Sequence, residues 1–167
     1  MVNHTYDDYI IRPEVMFIKA VERKGKEHTI VVEEKRTFEL TMKPLDLIKK
    51  SCIAYGATYN GRRGASKHWL ATDKKLPINI DHFEGTYLFP LASHIAKGNL
   101  WISLFKIESF SKLDSKHTSI LFTNGQRFSF PITERSLKNQ HGKASRLNIE
   151  LKQQVHNSYR WDYRKEV

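Results

Sequence analysis

Residues 30–40 read IVVEEKRTFEL and residues 120–130 read ILFTNGQRFSF. Sliding the chain against itself by 90 positions (120 − 30) lays Ile30 over Ile120, Phe38 over Phe128 and Leu40 over Phe130, with Leu47 over Leu137 a little further on. Each copy is a pair of β-branched and aromatic runs broken by a polar turn, the pattern of a hairpin, and each is followed by an amphipathic helical pattern. With a small further shift ASKHWL meets ASRLNI, which sets Lys67 over Arg146. The expected architecture is α+β and β-rich, with antiparallel hairpins each followed by a helix, in two similar lobes related by a pseudo-twofold. Chance alignment of two amphipathic hairpins is the competing reading. The repeats are expected over residues 14–92 and 97–157 of one domain spanning 1–157, with 158–167 as a flexible tail.

Within this frame, strands are expected at Val15 to Val21 and through Thr29 to Leu40, as a meander broken at GKEH and EEKR. In KPLDLIKKSCIAYG, Pro44 suits a first helical turn and Gly56 an exit, so a helix is expected over about 44 to 55. Its apolar stripe is read as Leu45, Ile48, Cys52 and Tyr55, with Lys49 and Lys50 off it. YNGRRGASK reads as a glycine-rich basic loop, followed by short strands near Lys67 to Ala71, Ile78 to Ile80 and Tyr87 to Phe89. Residues 91–99 mix small and polar types and suit an internal boundary. Asn124-Gly125 signals a hairpin with a type I′ turn. Thr133 can cap a helix from about 134 to 142, and the alternation of Ser145, Leu147, Ile149 and Leu151 suggests a strand after it.

The charge balance narrows the function classes. There are 28 Lys and Arg against 18 Asp and Glu, a formal net charge of +10 spread along the chain rather than gathered in a tail. Such a surface attracts polyanions, nucleic acid first among them. A single cysteine, Cys52, rules out an internal disulfide and suits a reducing compartment. MVNHTYDDYIIRPE lacks the apolar run of a signal peptide, and no long apolar stretch follows, so a cytoplasmic, nucleoid-associated protein without membrane contact is expected.

Enzymatic signatures are weak. GRRG is too short for a phosphate-cradling loop and lacks its Lys-Ser/Thr. The eight His residues have no ligand spacing, so no metal site and no cofactor is expected. Glu14, Glu33 and Lys35 faintly resemble the Glu-x-Lys set of a metal-dependent nuclease, which stands as an alternative beside a basic protein-interaction module.

Residues 51–63, SCIAYGATYNGRR, with the upstream MKPLDLIKK, resemble the signature of ComK-type competence regulators. YLFPLAS from Tyr87, WIS from Trp101, FTNG from Phe122 and PITERSLKNQ from Pro131 follow in the family's order, so the likeness covers roughly residues 40 to 147. The resemblance implies a transcription activator without enzymatic chemistry. Such a protein recognises paired AT-rich boxes largely through the minor groove, works as a dimer or tetramer, and switches on DNA-uptake genes, with RNA polymerase as a further partner. It does not extend to the Phe-Met-Leu-Tyr-Pro-type segment resembling the docking site for a proteolytic adaptor. A member with a narrowed or accessory role, not held to adaptor control, is therefore also compatible.

Given that resemblance, Arg62 and Arg63 between Gly61 and Gly64 are the leading DNA contacts, since guanidinium groups enter a narrow, negative groove readily. Tyr59 and Asn60 belong to the same segment, and Lys67 and Arg146 are the matched pair of the repeat. Lys49 and Lys50 suit phosphate contacts. Lys143 and Arg146, with Arg135 and Lys138, form a cationic helix face that any solvated helix could show. Arg127 suits DNA or water equally. Tyr59, Trp69, Trp101 and Phe105 could stack on bases, although their apolar neighbours favour the core.

Overall fold

The structure is a computed structural model, and it describes residues 8–91 and 100–163, with side chains as far as Arg160. The expected boundary at 91–99 lies outside the described residues except for Leu91.

The first meander forms as β1 (Val15–Arg23), β2 (Lys26–Glu33) and β3 (Thr37–Leu40), followed by α1 (Pro44–Ala54). Pro44 opens α1 where its missing N–H costs nothing. The helix buries Leu47, Ile48, Ser51 and Cys52, whereas Leu45 is exposed, so the inward stripe lies two positions from one of its expected members. Then come α2 (Tyr59–Leu70), β4 (Ile78–Asp81), β5 (Thr86–Leu91) and β6 (Leu100–Ser103). A 3-10 turn at Leu104–Lys106 leads into β7 (Ile107–Lys112), β8 (Thr118–Phe122), β9 (Arg127–Phe130) and α3 (Glu134–Tyr163).

Six strands make one antiparallel sheet in the order β3-β2-β1-β6-β5-β4, and β7-β8-β9 make a second. The alternation of strand side chains feeds two cores. On one face of the large sheet Val15, Ile18, Val31, Leu88 and Trp101 meet Leu47, Ile48 and Cys52 of α1. On the other Phe17, Val32, Phe89 and Ile102 meet Ile120, Phe122 and Phe130 of the small sheet and Leu137, Ala144 and Leu147 of α3. The molecule is thus layered, with helix on sheet on sheet and helix, the α+β, β-rich class expected.

Two segments depart from expectation. Residues 59–70, read as a basic loop and a strand near Lys67 to Ala71, are the helix α2. Thr58 Oγ1 caps it by accepting from Gly61 N at 3.0 Å, and Ser66 and Leu70 are buried one turn apart. Gly61 and Gly64 each cost a helix about 1 kcal/mol, and the cap and burial outweigh that local preference. The second departure is α3, one 30-residue helix where a shorter helix and a strand are expected. Leu147 is 1% exposed but Ile149 is 53% exposed, so the strand-like alternation has no face to serve. The helix runs on into the segment read as a tail, to Tyr163.

The hairpins of the two sheets share their register. Val31 faces Phe38 as Ile120 faces Phe128, and Thr29 faces Leu40 as Thr118 faces Phe130. Thr29 Oγ1 donates to the Met42 carbonyl at 2.7 Å, and Thr118 Oγ1 donates to the Ile132 carbonyl at 2.7 Å. The first strand shifts irregularly at Val15/Phe17 in one copy and at Ile107/Ser109 in the other. Ile120 thus matches Val31 rather than Ile30, because the second turn carries one residue more. That turn has positive φ at Gly125 alone and not at Asn124. Phe122 accepts from Gly125 N at 2.9 Å, a type I turn closed by a left-handed glycine rather than the expected type I′.

Candidate nucleic-acid interface

Folding residues 59–70 as a helix separates the two arginines. Successive helical positions point about 100° apart, so Arg62 and Arg63 leave the helix in different directions rather than side by side as on a loop. Arg62 turns towards the β4–β5 turn, where its Nη2 lies 3.3 Å from His82 Nδ1. Its Nε is buried without a hydrogen-bond partner. Arg63 instead reaches the stretch between α2 and β4 and donates from Nη2 to the Asp73 carbonyl at 3.2 Å. Both side chains are half-buried. Lys67 stands one turn beyond Arg63 and is exposed, as is Asn60, while Tyr59 is half-buried with burial pushing its phenol up.

The same stretch receives α3. Lys143 Nζ donates to the Lys74 carbonyl at 2.9 Å, and Gln140 Nε2 donates to the Lys75 and Pro90 carbonyls at 2.9 and 2.8 Å. Burial, and then the charge of Lys75, hold the Lys143 ammonium below its ordinary range. Arg63 of α2 and Lys143 of α3 therefore reach adjacent carbonyls, of Asp73 and Lys74, in the stretch between α2 and β4, with the charge of Lys75 acting on Lys143. Like charges held together raise each other's energy, and a phosphate placed among them relieves that repulsion. Arg146 lies near this group in sequence but is exposed, with Nε 3.8 Å from Glu150 Oε1. Lys74, Lys75 and Gln140 escaped the sequence reading; the Lys-Lys pair just before Pro77 was the available signal.

Other expected contacts stand elsewhere. Lys49 is exposed on α1 and Lys50 is half-buried beside it. Arg127 is exposed on β9, its Nη1 3.4 Å from Ser119 Oγ across the strand pair. Trp101 is core, at 7% exposure, whereas Phe105, grouped with it as a core candidate, is 50% exposed with Lys152 Nζ 5.8 Å from its ring centroid.

Glu33, the centre of the nuclease alternative, is buried and held by other partners. Tyr9 Oη donates to its Oε1 at 2.7 Å, Arg12 approaches to 3.5 Å, and Arg36 Nε donates to Oε2. Burial alone raises this carboxyl, but the hydrogen bonds from Arg36 and Tyr9 prevail and hold it below the usual range. Glu14 Oε2 instead lies 3.8 Å from Arg12 Nε, and Lys35 is exposed in the β2–β3 turn. No three His, Cys, Asp or Glu side chains gather to hold a metal ion among the described residues. Cys52 is buried, and burial pushes its thiol up, against a reactive thiolate.

The model of the family described as ComK protein matches residues 6–156. The chain belongs to the ComK family. It is also 26% identical over 149 residues to the competence transcription factor of Bacillus subtilis (strain 168), a match covering 89% of this chain and 78% of that protein. No solved structure matches it. The family match takes in α1, α2, both sheets and most of α3. No helix among the described residues is long and apolar enough to cross a membrane.

Proposed function

We propose that this chain is a DNA-binding transcription regulator of competence genes, which reads paired AT-rich boxes largely through the minor groove and acts by binding rather than catalysis. The observation that carries this reading is the approach of Arg63 and Lys143 to the adjacent carbonyls of Asp73 and Lys74, with the charge of Lys75 acting on Lys143 and Lys67 exposed one turn along α2. Cations fixed by hydrogen bonds to backbone carbonyls are pre-positioned, so less side-chain freedom is lost when phosphates dock. The relative's name and the excess positive charge agree with it.

The matched registers of the two hairpins support reading the chain as a duplicated unit, with β1–β3 and α1 answering β7–β9 and α3. In the proposal the protein acts as a dimer or tetramer whose spacing matches the paired boxes, and a DNA-bound assembly then recruits RNA polymerase. The place of action is the nucleoid.

Gel-shift titration against an AT-rich paired box and a GC-rich duplex, at several salt concentrations, tests the reading. A preference for the AT-rich box with a steep salt slope is expected. Equal affinity for both duplexes would reduce the protein to a general polyanion binder.

A further inference from the structure

The β4–β5 turn presents a phenyl ring to solvent. Phe83 is 79% exposed. Its backbone is fixed: Phe83 N donates to Oδ1 of the buried Asp81 at 2.9 Å, and Gly85 closes the turn at φ +71°. Its ring is braced as well. The His82 ring lies 4.0 Å from it, centroid to centroid, and Arg62 Nη2 holds His82 from α2. A β-carbon at Gly85 would sit 3.9 Å from Phe105 Cε2, so the exposed Phe105 ring flanks the same turn, with Lys152 of α3 beside it.

Isolated exposed aromatics are ordinary. Here two exposed rings stand at one turn between cations supplied by α2 and α3, and the projecting ring is anchored at both its backbone and its flank. Apolar side chains presented this way enter the minor groove and part adjacent base pairs, kinking the duplex, while flanking cations hold the phosphates. His82 and Glu84 border Phe83 in the chain, and the two exposed rings, Phe83 and Phe105, make a smaller apolar surface than a stable protein partner needs.

We propose that Phe83 is a wedge which inserts at a base step of the bound duplex, with Phe105 as the adjoining platform and Arg62 as the positioning residue that holds the turn. The proposal rests on the DNA-binding reading and deepens it. Pyrimidine–purine steps unstack most easily, so TA steps within AT-rich boxes are the expected point of insertion. Glu84, exposed beside the ring, opposes the approach of phosphates and sets a limit on affinity.

The test uses the full chain and an AT-rich paired-box duplex carrying end-to-end fluorescence-transfer labels, with 2-aminopurine placed in turn at each TA step. Wild type is expected to shorten the end-to-end distance and to brighten 2-aminopurine at a defined step. Phe83→Ala, at a solvent-facing position, should lose both signals and weaken binding on the order of tenfold. Phe83→Leu should keep both, because a leucine also wedges, and Glu84→Gln should tighten binding. Duplex bound by wild type with both signals unchanged in Phe83→Ala overturns the wedge and leaves the DNA-binding reading standing. Failure of wild type to bind any duplex overturns both. Loss in Phe83→Ala of single-strand binding alone, or a shift in sedimentation to smaller assemblies with DNA bending intact, overturns the wedge in favour of a strand platform or a contact between copies.

Discussion

Asn124 Nδ2 donates to the Glu34 carbonyl at 2.9 Å, tying the turn of the second hairpin to the turn of the first. The two residues are 90 positions apart, so the link joins nearly equivalent points of the two matched hairpins. Asn124 also holds its own turn, its Oδ1 accepting from Gln126 N at 3.0 Å. Asn124→Ala removes these two bonds and a third, from Nδ2 to Gln126 Oε1, and a loss of about 1–2 kcal/mol in stability is expected by denaturant titration. Asn124→Asp keeps the acceptor and loses the donor, so it should fall between the alanine variant and wild type.

Replacing Arg63 and Lys143 together with alanine removes one cation from each of α2 and α3. DNA affinity is expected to fall by similar factors on AT-rich and GC-rich duplexes, because phosphate contacts carry no sequence. The plot of log affinity against log salt should become shallower by about 2, near 0.9 for each lost contact. An unchanged salt slope would place the phosphate path elsewhere.

The Glu33 carboxylate is held below its usual range in the folded chain, so the unfolded chain binds the proton more tightly. Its stabilising contribution is present above the ordinary glutamate value, about 4.5, and is lost as pH falls through the lowered folded value. Thermal melts of Glu33→Gln should therefore show a weaker acid limb than wild type. At neutral pH the variant should be less stable by about 1–3 kcal/mol, because Arg12 and Arg36 lose their anion.

His141 moves stability in the same direction at higher pH. Burial between the rings of Phe89 and Phe110 keeps its imidazole below the ordinary value of 6.5. The folded state favours the neutral ring, so stability is full above that value and declines as pH drops through the folded one. His141→Gln should flatten the melting temperature over that range, measured against the wild-type curve.

Leu147 and Ile149 separate the two readings of the C-terminal segment. A strand would turn both to one face, whereas α3 buries the first and exposes the second. Ile149→Asp should leave stability nearly unchanged. Leu147→Ala should cost about 2–5 kcal/mol by the same denaturant assay.

The hairpins were legible because alternation and turn chemistry are local: Val31, Phe38, Ile120 and Phe128 advertise their faces within a few residues. Even so, the one-residue difference between the turns at Glu34 and Asn124 offset the sliding match in β8, since register depends on pairing across space. The helix α2 was hidden for another reason. Gly61 and Gly64 argue against a helix locally, and what overrides them is Ser66 donating to the Pro77 carbonyl at 2.6 Å and Leu70 entering the core. Neither contact can be read from spacing. The helical form sets Arg62 Nη2 3.3 Å from His82 Nδ1 and brings Arg63 and Lys143 to the adjacent carbonyls of Asp73 and Lys74, none of which spacing shows. Phe83 carried no periodic signal at all, because a ring at a turn belongs to no stripe.

The helix α3 is about 45 Å long at 1.5 Å per residue, yet among its described side chains Leu147 is the last buried one and residues 152–160 are all exposed. A free peptide of that outer length would barely hold helical form, because starting a helix costs far more than extending one. Here the packed turns act as a seed, and the outer turns inherit a nucleus they could not form alone. Amide protons should therefore exchange in a gradient along α3, slowest near Ala144 and fastest beyond Val155. Cutting the chain after Gln153 should leave the main melting transition almost where it was.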